Sequence, residues 1–243
     1  MEIAAVALAV VVGALIKSIT GMGLPPVAIP VLALFVGPQD AIVIMTLSTV
    51  TTNSYLMWAY RDGASQAKNL WTMIAAGTVG APIGVLFLTN IEGRYVALVL
   101  GISVLVYIAV SLWKPHLRLS DRAAKSAAAP VGLAGGILQG ATGLSSVVLA
   151  SYIHALGLTP RAFVFMLSTL FQVFALVQLI GFWVAGLYTP DIITASLVAA
   201  VPATAVLAFG TRLSFRISPV VFNRMVMAVL GLSAIKMLFD AVA

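Results

Sequence analysis

Apolar residues gather in eight long runs separated by short polar stretches. Six of these runs, 41–60, 70–89, 95–113, 162–187, 191–210 and 219–239, match the roughly 20 helical residues that cross a bilayer core. The other two, 3–36 and 127–158, are too long for a single crossing and are interrupted near their middles. The first breaks at Thr20-Gly-Met-Gly-Leu-Pro-Pro26 and the second at Gln139-Gly-Ala-Thr-Gly-Leu-Ser-Ser146. The pattern predicts an all-α membrane protein with two broken helices, each either an overlong helix or a pair of half-helices.

The order of short motifs predicts two related halves. Thr20-Gly21 recurs as Thr142-Gly143, and Gly23-Leu24-Pro25-Pro26-Val27 as Gly143-Leu144-Ser145-Ser146-Val147. Leu47-Ser48-Thr49 returns as Leu167-Ser168-Thr169. Arg94 with Leu100-Gly101-Ile102-Ser103 matches Arg224 with Leu230-Gly231-Leu232-Ser233. The halves run over 1–113 and 127–243, with 114–126 as a cytoplasmic linker.

Charge decides how the broken runs cross. With the loops around Arg61–Lys68 and Lys114–Lys125 in the cytoplasm, two re-entrant hairpins leave ten cationic residues inside and two outside, Arg94 and Lys236, with Lys17 buried. A single crossing at 127–158 would put five outside, against the positive-inside rule. Each half is then one hairpin plus three full spans. An odd number of crossings inverts the second half, the arrangement of secondary transporters whose site lies where broken helices meet.

Composition narrows the class. The chain is 62% apolar and 8% charged, with a mean hydropathy of +1.13, which no soluble domain of this size accommodates. All seven acidic residues fall at the ends of apolar runs. Loop lysines and arginines set orientation and carry no argument for nucleic acid. The absence of cysteine removes thiol chemistry. The segment Met-Glu-Ile-Ala-Ala lacks a basic n-region, so the first apolar run is read as mature structure. No carboxylate pair, histidine cluster or activated nucleophile falls within the spans, which argues against an enzyme, and no metal or cofactor is expected.

Candidate chemistry concentrates at the breaks. Lys17 lies roughly 20 Å along its run, too deep for easy snorkelling, and reads as a cation awaiting an anion. Pro25 suits the first turn of a half-helix starting near Leu24, with Gly21 and Gly23 allowing the reversal. Ser145 and Ser146 are good N-cap residues at the second break. Two opposed helix N-termini, the hydroxyls of Thr20 and Thr142, and Lys17 would together surround a small oxyanion. Ser48, Thr49, Ser168 and Thr169 occupy equivalent places in full spans, where hydroxyls ordinarily bond back to their own helix. Asn53, Gln172 and Gln139, the last at the place of Lys17, could supply amide donors. Arg94 and Arg224 are interfacial anchors in the plain reading and anion-attracting vestibule residues in the sharper one. Trp58, Trp71, Trp113 and Trp183 stand near span ends, as an aromatic belt requires.

These residues resemble the TauE/SafE sulfite exporter family. Thr20-Gly21-Met22-Gly23-Leu24-Pro25 with Pro30 looks like the family's first glycine-rich break, Thr142-Gly143-Leu144-Ser145 like its second, and Leu47-Ser48-Thr49 like its Ser/Thr pair. The resemblance implies a multi-pass protein of a bacterial inner membrane moving sulfite, thiosulfate or an organosulfonate. Export of such an anion is the leading expectation. Proton- or sodium-coupled import of a small organic anion and a passive anion channel are the alternatives. The partners expected are a small anion and the lipid bilayer, with a homo-oligomer left open.

Overall fold

The computed structural model describes residues 10–18, 23–113, 118–211, 235 and 239. Every regular element among them is helical. Residues 10–18 form α1, followed by α2 (Leu24–Val36) and α3 (Pro38–Ala59), then a 3-10 turn (Arg61–Gln66), α4 (Leu70–Asn90) and α5 (Gly93–Trp113). The second half holds α6 (Asp121–Thr142), α7 (Ser146–Ala155), α8 (Pro160–Val184) and α9 (Pro190–Gly210). Helices α4, α8 and α9 are long and apolar enough to cross a membrane. They coincide with the expected spans 70–89, 162–187 and 191–210. The run 41–60 overlaps α3 except for its last residue and 95–113 lies within α5, while 219–239, apart from residues 235 and 239, falls outside the described residues.

Both broken runs break where expected. Gly23, before α2, has φ 119°, and Gly143, after α6, has φ 71°. Side chains with a β-carbon rarely adopt that backbone region, so glycine is the residue the turn requires. At each break the chain folds back on itself. A β-carbon at Gly135 would lie 2.5 Å from Leu149, and one at Gly13 would lie 3.1 Å from Leu24. In an unbroken helix residues 135 and 149 would stand about 21 Å apart.

One boundary needs correction. The expected linker ran through residue 126, but α6 begins at Asp121, where Ser120 Oγ accepts the Ala123 N–H. Capping and an alanine-rich first stretch make 121–126 helical despite its charges. The same device starts α8 and α9: Thr159 and Thr189 cap, and Pro160 and Pro190 follow in the first turn. Two further pairs extend the sequence repeat. Pro38 and Pro160 open α3 and α8, and Pro82 and Pro202 lie inside α4 and α9.

The most extensive helix contact joins the halves, between α4 and α6. Gly77, Gly80 and Gly84 face Gly132, Gly136 and Gly140 so closely that side chains have no room. A β-carbon on Gly136 would be 2.1 Å from the Gly77 carbonyl oxygen, and one on Gly140 2.1 Å from that of Ala81. Small residues at such spacing let helix backbones touch, which is how membrane helices associate where apolar side chains gain nothing by leaving lipid. Helix α3 also packs against α8 and α9, and α4 against α8. The outer faces keep large apolar residues exposed, among them Val79, Leu86, Ile180, Val198 and Val201, with Trp58, Trp71 and Trp183 near helix ends. Lipid is the solvent that suits this surface.

At one end of the bundle the α3–α4 connection grips the second half. Arg161 donates two hydrogen bonds to Asp62, at 2.5 and 2.9 Å, and its guanidinium lies over the Tyr60 ring. Lys68 pairs with Asp121 at 3.0 Å, and Gln66 Oε1 accepts from the Thr159 hydroxyl at 3.1 Å. The Arg161 hydrogen bond holds the Asp62 carboxyl below the usual carboxylate range.

Candidate functional site

Lys17, on the last turn of α1, is 1% exposed. Its ammonium donates to Thr52 Oγ1 at 2.9 Å and Asn53 Oδ1 at 2.5 Å, both on α3. Among the described residues the ion pairs are Lys68–Asp121, Arg94–Glu92 and Arg161–Asp62, so Lys17 faces neutral oxygens only. Such a cation inside a membrane protein is costly.

A small cavity opens beside it, lined by Lys17, Gly23, Pro25 and Pro26 from the first break, Gln139, Gly143 and Ser146 from the second, and Thr49 and Phe171 from α3 and α8. Its volume, about 10 Å³ for the centre of a water-sized sphere, holds about one water. An oxyanion of several atoms needs the lining to part. The structure is therefore closed around this point.

The two breaks contribute differently. Helix α2 starts with Leu24, Pro25 and Pro26. Proline has no N–H, and Val27 already donates to the Gly23 carbonyl, so Leu24 has the one N–H of that first turn without a partner among the described residues. The expectation of a donor-rich N-terminus there is corrected. Helix α7 starts with Ser146, Val147 and Val148, whose N–H groups have no partner within the helix by its geometry. The Ser146 hydroxyl is buried without a partner among the described residues.

Several expected ligands are occupied elsewhere. Ser145 stands at the N-cap of α7 but does not cap it; its hydroxyl donates to Gln139 Oε1 at 2.7 Å. Gln139 Nε2 donates to Gln178 Oε1 at 3.2 Å, and Gln178 Nε2 returns to the Gln139 carbonyl at 2.6 Å. Thr142 donates to the Leu138 carbonyl and accepts the Leu144 N–H, shaping the turn. Thr49, Ser168 and Thr169 bond back to the carbonyls of Met45, Val164 and Phe165. Ser48 Oγ, Asn53 Nδ2 and Gln172 Oε1 are buried without a partner among the described residues. Of these three, none lines the cavity, although Asn53 touches Lys17. Arg94 is exposed and engaged with Glu92 at 2.9 Å and the Tyr95 ring, away from the cavity. Thr20, Gly21 and Arg224 lie outside the described residues.

Two contributors escaped the sequence reading. Thr52 holds Lys17, and Gln178 holds Gln139. Thr52 follows Ser48 by one helical turn, a spacing that places both on one face; Gln178 had only its polarity within an apolar run to mark it. Among the described residues the cavity lining brings together Lys17, Gln139, the hydroxyl-bearing Thr49, and Ser146 at the start of α7, with no carboxylate or histidine.

Comparison with curated proteins and with solved structures returns no match. Residues 5–237 match the family model described as sulfite exporter TauE/SafE, which covers nearly the whole chain. The breaks, the all-helical fold and the match agree: this chain belongs to the sulfite exporter TauE/SafE family of membrane transporters.

Proposed function

We propose that this protein exports a small sulfur-containing oxyanion, such as sulfite, thiosulfate or an organosulfonate, across a bacterial inner membrane, binding it between the two helix breaks. The observation that carries the reading is Lys17, a buried cation whose partners among the described residues are neutral, beside a small cavity between the two breaks. An anion entering there replaces the missing counter-charge. Ser146 and the first N–H groups of α7 receive its remaining oxygens.

Two inverted halves give this site its two-sided access. Matching features support that plan: glycine turns at 23 and 143, opening prolines at 38 and 160, and reciprocal packing of α3 on α9 and α4 on α8. Rocking of the halves would expose the cavity to either side in turn. A closed cavity of one-water size favours a carrier over an open pore. Among the described residues no carboxylate lines it, and a membrane potential negative inside drives an anion outward by about 2.3 kcal/mol per charge per 100 mV.

The test is reconstitution in liposomes. Sulfite flux should follow an imposed voltage without a proton or sodium gradient, saturate, and show counterflow. Strict dependence on either gradient points to coupled import and overturns export. Thermal stabilisation of the purified protein by sulfite, thiosulfate, sulfoacetate, taurine, sulfate and carboxylates identifies the preferred anion.

A further inference from the structure

We infer that Phe171 is a specificity-determining residue: its ring is the wall that meets the side of the anion without oxygens, and it limits the organic group that a bound sulfonate can carry. This rests on the anion-site reading above and deepens it.

Phe171, on α8, lines the cavity together with Lys17 and is 7% exposed. The lining divides by chemistry. Lys17, Thr49, Gln139 and Ser146 bring polar side chains, whereas Pro25, Pro26 and Phe171 bring none that can donate or accept. An anion oxygen turned toward these three would give up water and find no side-chain partner, a cost that the polar part of the lining spares it. The oxygens of a sulfonate therefore turn to the cation and the hydroxyls, and its carbon turns to the prolines and the ring. Sulfite has no substituent on that side and needs the least room.

Phe171 is the member of the apolar wall whose size can set a limit. Its ring is the largest side chain in the lining. It belongs to the buried apolar cluster that also holds Leu149 of α7 and Met166 and Phe174 of α8. A ring in a close-packed interior cannot recede without disturbing its neighbours. Nor does the internal repeat account for it. The register that pairs Thr49 with Thr169 pairs Thr51 with Phe171. Thr51 accepts from the Thr204 hydroxyl of α9 at 2.8 Å and does not line the cavity. The ring at this wall belongs to the second half alone.

The experiment measures dissociation constants of sulfite, methanesulfonate and propanesulfonate for the purified full-length protein and its Phe171→Ala variant by titration calorimetry. The parent should bind methanesulfonate at least about tenfold more tightly than propanesulfonate. In Phe171→Ala the longer anion should gain on the shorter by at least about tenfold, because each extra methylene that finds apolar lining is worth about fourfold, or about 0.8 kcal/mol. Sulfite, which carries no carbon, should change least. Lost packing alone cannot produce a gain for the longer chain. Truncating a buried phenylalanine weakens folding, so Phe171→Leu, which keeps an apolar side chain, should shift the ratio the same way by a smaller factor if Phe171→Ala does not fold. A parent that takes both sulfonates equally, or variants that leave their ratio unchanged, would overturn the role of Phe171 while leaving the anion site standing. An equal loss for all three anions would show that Phe171 only packs the core and would overturn it too. A parent that binds none of the three overturns both readings.

Discussion

Among the described residues, the first break brings a charge and few backbone donors, and the second brings backbone donors and no charge. Lys17 and Gln139 stand at corresponding places before the two turns. Lys17 reaches across to Thr52 and Asn53 on α3 and still faces the cavity. Gln139 is used up, accepting from Ser145 and donating to Gln178. On the far side of each turn the contrast reverses. Prolines 25 and 26 strip α2 of N–H groups, while α7 keeps the N–H groups and free hydroxyl of Ser146. Two similar turns therefore leave different groups beside the cavity: the first a buried cation, the second the opening of α7 and a buried hydroxyl. On the proposed reading an anion would draw on both.

Four substitutions would break or sharpen this contrast. Lys17→Gln makes the first break like the second and should have the largest effect. Loss of one charge-assisted hydrogen bond, about 1.5–3 kcal/mol, predicts an oxyanion affinity at least tenfold weaker. Without anion the variant should melt no lower than the parent, because a costly buried charge is gone. Calorimetric titration and thermal unfolding in detergent check both; full transport by this variant would place the site elsewhere.

Gln139→Leu should do the opposite. Ser145 loses its acceptor and Gln178 a donor, so stability should fall by about 1–3 kcal/mol, while anion affinity per folded molecule falls less than for Lys17→Gln. The two adjacent serines divide the same way on a smaller scale. Ser146→Ala removes a hydroxyl with no described partner and should weaken anion binding a few-fold with little change in unfolding. Ser145→Ala breaks a buried bond worth about 1 kcal/mol and should show chiefly as lower stability.

The smallest effect belongs to the exposed grip between the halves. Asp62 has its carboxyl held below the ordinary range by Arg161. Its contribution is therefore complete above the unfolded carboxylate pKa of about 4 and lost as pH falls through the lower folded value. Asp62→Asn should flatten stability against pH in that acid window, with a small loss at neutral pH that disappears as pH falls below the folded value. Thermal unfolding from pH 3 to 7 measures it, and salt should shrink the difference.

Much of the helix layout was legible because glycine and proline punctuate an apolar chain, and few residues other than glycine fit the turns at 23 and 143. Lys17 was legible for the same reason: a cation deep in an apolar run has little else to do. The hydroxyls were harder. Thr49, Ser168 and Thr169 reach carbonyls on their own helices within one turn, and spacing alone does not distinguish a ligand from such a self-bonded group. The commitment of Gln139 was not legible because its partner, Gln178, lies 39 residues away. The beginning of α6 was missed because polar residues near a helix start look like a loop until the cap is seen. Prolines 25 and 26 were read for the conformation they favour and not for the hydrogens they lack.

The glycine face of α4 also bears on how the protein is made. Gly77, Gly80 and Gly84 are synthesised well before their mates Gly132, Gly136 and Gly140, and Asp62 emerges long before Arg161. Until α6 arrives, α4 has only lipid against a strip of bare backbone. The first half therefore enters the membrane as an unfinished piece, and its maturation waits on the second. Insertion of the spans and assembly of the bundle become separate events, the second timed by the arrival of α6.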